Sequence, residues 1–301
     1  MTWTAFLLIL ASVFLHAGWN LLLKGHRPSL AFIFLQNCSA LLCMMPCLLR
    51  CPLPRMGLPV GFWFCLAGSI AGELLYNSSL AHGYRLFDLS LFYPLVRALP
   101  VAMLALGSLF LPLGRERPSG WALVGMAILF LGCLFMASRS QPKDDEKQRP
   151  AWELWLWVIV GATGACLYTG FDNAAANLTR ESGAVTWGII SSCAYFGLVE
   201  IGLVCGNGLQ VLVLPQERKA FCEIFGKTLT PLVAGAFDAL CYGLVLWAYT
   251  KVTNASLVFA FRQLGLPVGF LAGIFLLHEK ARKRKWFGLA AIVGGLLFSL
   301  L

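Results

Sequence analysis

Ten stretches of mostly apolar residues follow one another along the sequence, at 2–23, 29–49, 58–83, 87–112, 119–138, 152–176, 183–205, 229–250, 252–277 and 286–301. A helix of about 20 such residues crosses a hydrocarbon core of about 30 Å. The last stretch is shorter and is expected to reach the interface through Lys283 and Lys285. Only 12% of the 301 residues are charged, against about 25% in an average soluble domain. That excludes an ordinary soluble enzyme. It also excludes a disordered chain, which needs low hydrophobicity and high net charge. The expected fold class is an all-α integral membrane protein with ten transmembrane helices. The first stretch begins at Thr2 without a basic leader, so it is expected to stay as a span.

The net charge of +9 does not point to nucleic acid, because the basic residues form short clusters between apolar runs instead of one soluble face. Such clusters set orientation and meet anionic lipid. On the side that ten spans would give to both termini lie Arg50, Arg55, Arg115, Arg117, Arg180 and Lys251. Fifteen basic residues lie in the opposite loops, and Arg97 and Arg262 complete the 23 from within spans. Fifteen against six predicts both termini outside a cytoplasmic (inner) membrane. The hydrophilic segment 140–150 reads as a cytoplasmic linker, residues 206–228 as a loop with room for an interfacial helix, and Lys280–Lys285 as an anchor for the last span. Eleven cysteines form no CxxC pair. Cys43, Cys47 and Cys51 share a helix face, but no His or acid joins them, so they read as packing residues and not metal ligands.

The two halves of the chain match each other in order. A shift of 152 pairs His16-Ala17-Gly18-Trp19-Asn20 with Tyr168-Thr169-Gly170-Phe171-Asp172. A shift of 166 pairs Tyr76 with Tyr242, Arg85 with Lys251, Asp88 with Asn254 and Ser90-Leu91 with Ser256-Leu257. A shift of 163 pairs Glu116 with Glu279, Gly125 with Gly288 and Gly132 with Gly295. Each pair falls between corresponding members of a five-plus-five division: residues 1–139, the linker 140–150, and residues 151–301. Five is odd, so the second half would cross with opposite polarity, the inverted repeat that secondary transporters use for alternating access.

The element His16 to Asn20 followed by Lys24, and a glutamate after the fourth and ninth spans (Glu116, Glu279) leading into a Gly-rich helix, resemble the drug/metabolite transporter superfamily, in particular its EamA-type members. The resemblance implies ten helices in two five-helix repeats and export or exchange of small metabolites across the cytoplasmic membrane. It does not specify which metabolite.

A charge at the bilayer centre costs roughly 2.5–3.5 kcal/mol on insertion scales, so each one needs a reason. Away from the span ends, where Asp88 and Glu153 stand, the spans hold four acids (Glu73, Asp172, Glu200, Asp238) and two bases (Arg97, Arg262). An acid without a cationic partner in low dielectric favours its neutral form, which makes Glu73, Asp172 and Asp238 candidate proton carriers. Asp172 has the best claim, having Asn20 as its repeat mate and no base in its own span. Glu200 reads as a snorkelling residue near the end of span seven.

Helical spacing places His16 with Asn20, Tyr93 with Arg97, Tyr168 with Asp172, Asp238 with Tyr242, and Glu73 with Tyr76 and Asn77 on shared faces. These faces should turn inward and line a cavity, built mainly by spans one, three, four, six, eight and nine. The expected substrate contacts are His16, Trp19, Asn20, Tyr76, Asn77, Tyr93, Arg97, Tyr168, Tyr242, Arg262 and Gln263. Arg97 and Arg262 either touch substrate or only neutralise Glu73 and Asp238. Gly68/Gly72 and Gly265/Gly269/Gly273 read as close helix contacts. Pro100 and Pro267, at matched places, read equally as gate hinges or as static bends.

No P-loop, HExxH or GxSxG element is present, so neither ATP drive within this chain nor an enzyme is expected, and no cofactor or metal. The expected function is secondary active transport of a small polar or amphipathic metabolite, with a proton as candidate coupling ion. A flippase for a lipid-linked or amphipathic headgroup is the alternative. The expected partners are a small-molecule substrate and membrane lipids, with no nucleic acid; the oligomeric state is left open.

Overall fold

The computed structural model describes residues 2–23, 29–87, 89–110, 118–137, 150–252, 255–277 and 283–299, with the side chains of 19–23, 89, 90, 255, 272–274, 276 and 277 outside the description. Lys24, Asp88, Glu116, segment 140–149, Asn254 and Glu279 therefore lie outside the described residues, as do the side chains of Trp19, Asn20 and Ser90. Among the described residues every regular element is helical.

The helices are α1 (Trp3–Leu23), α2 (Leu30–Arg50), α3 (Val60–Leu86), α4 (Leu89–Phe110), α5 (Gly120–Met136), α6 (Ala151–Ser182), α7 (Ile189–Val213), α8 (Pro215–Ile224), α9 (Thr230–Tyr249), α10 (Ala255–Arg262), α11 (Gly265–Leu277) and α12 (Lys283–Phe298). Ser29 and Ser119 begin α2 and α5 by accepting the orphan N–H groups of Phe32 and Ala122. Gly183 ends α6 in the left-handed region at φ 66°, where a side chain would be strained.

By length and apolarity, five segments of the described residues can each cross a membrane: Leu30–Arg55, Leu91–Phe110, Ala151–Ser182, Ile189–Val213 and Thr230–Tyr249. The chain is a helical membrane protein. The other apolar runs also hold helix, but α5 and α12 are short, and α3 is diluted by the polar residues that its inner face carries.

Two elements differ from the sequence expectation. α7 continues to Val213, so Glu200 sits in mid-helix and is fully buried; it does not snorkel. The loop after it accordingly shrinks to the short amphipathic α8.

The second difference is in the ninth run, which breaks between α10 and α11. Pro267 has no N–H for the carbonyl of Gln263, and Leu266 N–H takes that carbonyl at 2.9 Å. Gln263 and Leu264 likewise donate three residues back. This tighter turn withdraws the Leu266 N–H that would have met the carbonyl of Arg262 in a continuous helix. Pro94 and Pro100, by contrast, lie inside the unbroken α4.

The most extensive packing joins α3 to α6, α5 to α12, α2 to α7 and α1 to α9. Small residues permit it, as lipid supplies no hydrophobic drive between helices. At the α3–α6 crossing, a Cβ on Gly72 would lie 2.7 Å from the Tyr168 nitrogen, and one on Gly164 would lie 2.5 Å from the Gly72 carbonyl. At α5–α12, Gly125 faces Gly295 and Gly132 faces Gly288. Gly265 and Gly269 of the expected stripe do not act this way, and the surroundings of Gly273 lie outside the description. Gly269 faces open space, and Gly265 meets only the tips of His16 and Arg97.

Candidate functional site

Polar side chains that a lipid-facing surface would reject converge inside the bundle on a cavity of about 70 Å³. His16 of α1, Glu73, Tyr76 and Asn77 of α3, Arg97 of α4, Tyr168 of α6, Asp238 and Tyr242 of α9 and Arg262 of α10 all line it. Of the residues that helical spacing placed on shared inward faces, these reach the cavity, and Tyr93 and Asp172 do not.

One wall is aromatic. Tyr76, Tyr168 and Tyr242 stand edge to face in sequence, with centroids 5.8 and 6.0 Å apart, and Phe196 of α7 packs on Tyr242 at 4.9 Å.

The two arginines are held differently. Arg97 is only 2% exposed. Its Nε donates to Gln263 Oε1 at 3.2 Å, and its Nη2 donates to the Arg262 carbonyl at 2.9 Å. That carbonyl is the acceptor which the break before Pro267 left without a backbone donor. The guanidinium thus caps α10 from another helix, as cations favour helix C-termini. Arg97 also lies over the Tyr93 ring at 5.8 Å, and the Tyr93 hydroxyl is 3.3 Å from His16 Nε2. Arg262 stacks on Tyr242 at 5.2 Å, while its Nη1 is buried with no hydrogen-bond partner.

Among the described residues neither arginine forms an ion pair with a carboxylate, so pairing with Glu73 and Asp238 is not what holds them. Asp238 accepts from Gln36 Nε2 at 3.2 Å.

Asp172 is not on the cavity wall. It is fully buried one side chain behind it. One of its oxygens accepts from Ser69 and from Tyr195 at 2.9 Å, and the other accepts from Tyr242. Asp172 thus ties α3, α6, α7 and α9 together, and Tyr242 links it to the cavity. Gln263 is similarly a buried positioning residue: it bonds Arg97 and returns its amide to the Phe259 carbonyl at 3.1 Å. Tyr93 touches His16 and Arg97 from behind the wall.

The structure adds lining residues that charge counting passed over, chiefly Gln36 and Asn37 of α2 and Phe196 of α7. Two adjacent amides in an otherwise apolar run carry an unmet hydrogen-bonding demand in lipid, and would have marked α2 as inward-facing. Asn37 Oδ1 accepts from Asn207 Nδ2 at 2.9 Å, and the fully buried Glu200 lies near it. No group of three or more His, Cys, Asp or Glu converges as a metal site among the described residues.

No family model matches the chain, and no curated protein matches it, so the family resemblance read from its motifs gains no support from either. Solved structures do match. One, described only as "Crystal structure of protein", aligns over 99% of this chain and 96% of its own with a TM-score of 0.73 at 14% identity. At that identity the likeness is one of fold alone.

Proposed function

We propose that this protein is a secondary carrier for a small polar or amphipathic solute, with ten membrane-crossing helices arranged as two inverted halves around the central cavity. The observation that carries the proposal is the cavity itself: two arginines and two acids, unpaired with one another, inside a bundle whose outer surface is apolar. Burying such groups is costly, and a scaffold gains nothing from it.

The packing supports the two-half arrangement. Exchanging α1 with α6, α2 with α7, α3 with α9, α4 with α10–α11 and α5 with α12 turns the α3–α6 contact into α9–α1. It turns α4–α6 into α10–α11 on α1, and returns α2–α7 and α5–α12 to themselves; all of these contacts are present. The glycine pair Gly125–Gly295 likewise maps onto Gly288–Gly132. Contacts between loops also respect the expected sides: Thr2 donates to the Lys251 carbonyl, and Arg85 meets Glu217 at 3.5 Å. A helix broken beside the cavity, as α10–α11 is, matches the discontinuous helices of carriers.

Within this reading Glu73 and Asp238, which face the cavity, are the candidate coupling acids, and Asp172 positions Tyr242. The drug/metabolite transporter resemblance, export from the cytoplasm and both termini outside belong to the same proposal.

The test is counterflow in proteoliposomes with a panel of labelled amino acids, amines, organic acids and sugars. Saturable uptake accelerated by unlabelled solute on the far side is expected of a carrier. Flux that neither saturates nor responds to the far side would overturn the reading, and protein-dependent lipid scrambling without solute flux would replace it with a flippase.

A further inference from the structure

Between α7 and α9 the chain builds a helix that an exchange of two halves does not require. The corresponding linker between α2 and α3 holds only the three-residue helical turn Leu53–Arg55, whereas α8 has ten residues. Glu217, Ala220, Phe221 and Ile224 stand at i, i+3, i+4 and i+7 of α8 and share one face, which is turned to the bundle. Glu217 is buried and accepts the Ala31 N–H at 3.2 Å, and Phe221 packs on Phe34 of α2 with centroids 6.1 Å apart. The opposite face exposes Arg218 and Lys219, and Lys227 is exposed in the turn that follows. The side chains of these three cations make no hydrogen bond, ion pair or ring contact among the described residues. The basic residues that begin α12 are held by the protein instead: Arg284 lies over Phe135 and donates to the Leu134 carbonyl, and Lys285 lies over Phe270. Apolar side chains flank the free cations. Leu212 and Val213 before α8 are 69% and 65% exposed, and Phe225 and Leu229 after it are 62% and 72% exposed.

We propose that α8 and the turn after it form a binding surface for the headgroups of anionic phospholipids, in the leaflet on their side of the membrane. The flanking apolar side chains reach the acyl chains and fix the depth of the helix. At that depth Arg218, Lys219 and Lys227 stand level with the lipid phosphates, and Glu223 is the one exposed acid of α8 that opposes them. Three cations against one acid, inside an apolar rim, complement a negatively charged bilayer surface. A polyanion in water meets the cations but leaves the rim bare. A zwitterionic lipid covers the rim but brings no net charge. An anionic lipid supplies both. The surface is separate from the central cavity, and its occupant does not depend on what the cavity carries. Glu217 joins α8 to the start of α2 and, through Arg85 at 3.5 Å, to the end of α3, so lipid held on α8 fastens those two helix ends as well.

The test is photocrosslinking of the full-length protein in phosphatidylcholine bilayers at low salt. The bilayers carry a trace of phosphatidylglycerol or of phosphatidylcholine with the same diazirine-bearing acyl chain, and labelling of residues 215–229 is read by peptide mass spectrometry. A basic residue near a charged membrane surface is worth about 1 kcal/mol, a factor of about five. Three of them against Glu223 should therefore give phosphatidylglycerol a preference of roughly tenfold or more on this segment. Combining Arg218→Gln, Lys219→Gln and Lys227→Gln should bring the ratio to about one. These side chains touch nothing else in the protein, so the triple variant should melt at the parent temperature. Arg284→Gln with Lys285→Gln should leave the labelling of 215–229 as it was. Added salt should shrink the ratio on the unsubstituted protein, a measurement that needs no variant to fold. Equal labelling by the two lipids, no labelling of the segment by either, or a preference that survives the triple substitution overturns the proposal.

Discussion

The clamp between Arg97 and the broken ninth run makes a quantitative prediction. Arg97 reaches the Arg262 carbonyl only because Pro267 displaces the Leu266 N–H onto Gln263. Arg97→Gln removes two side-chain hydrogen bonds, to Gln263 and to that carbonyl. Within membranes such bonds average about 0.6 kcal/mol and reach about 1.7, so the loss should be roughly 1–3 kcal/mol. Pro267→Ala restores an N–H for the Gln263 carbonyl. Leu266 N–H can then return to Arg262, and Arg97 loses its acceptor. The two substitutions should therefore be coupled: the cost of Arg97→Gln should fall by about 1 kcal/mol in the Pro267→Ala background. The assay is a double-mutant cycle by equilibrium unfolding in mixed micelles, with ligand absent. Equal cost of Arg97→Gln in both backgrounds would refute the claim that the guanidinium is held by the helix break.

Three further outcomes follow from named contacts. Gly72→Leu and Gly164→Leu should each sharply reduce folded yield in detergent size-exclusion, since their added atoms meet backbone across α3–α6, whereas Gly269→Ala, facing open space, should be silent. Asp172→Asn disturbs acceptance from Ser69, Tyr195 and Tyr242 and should cost about 1–3 kcal/mol in the same unfolding assay; it should leave the pH profile of flux in place, while Glu73→Gln flattens it. Glu217→Ala should lower stability more than Arg85→Ala, because Glu217 accepts the Ala31 N–H at the start of α2 while Arg85 is 41% exposed and its ion pair is worth little in water; thermal melts of the two variants decide it.

Much of the site was legible before any coordinates, and the reason is the solvent. In lipid a polar side chain has few places to go, so the i, i+4 sets around Tyr76, Tyr168, Asp238 and Arg97 announced the inward faces directly. The same logic failed where it was applied only to charge. Gln36 and Asn37 were passed over as neutral, and Glu200 was assigned to an interface because the hydropathy of span seven was taken to end at 205, eight residues before the helix does. Asp172 was read as lining the cavity beside Tyr168, and it lies behind the wall instead. Its depth was not legible, because whether a face opens on a cavity or on three hydroxyls depends on which residues of other helices arrive opposite it.

By itself, then, the sequence determined that this chain is a helical membrane protein and which face of each helix is polar, since both follow from local periodicity and the cost of polar groups in hydrocarbon. Only the tertiary structure decided the partners. It placed Asp172 behind the wall and Glu73 on it, and gave Arg97 a carbonyl where the sequence had suggested an acid. It also left one arm of Arg262 free. Pairing across helices depends on crossing points set by small residues such as Gly72 and Gly164, and a shift of one helical turn there changes every polar neighbour without changing any helix's own pattern.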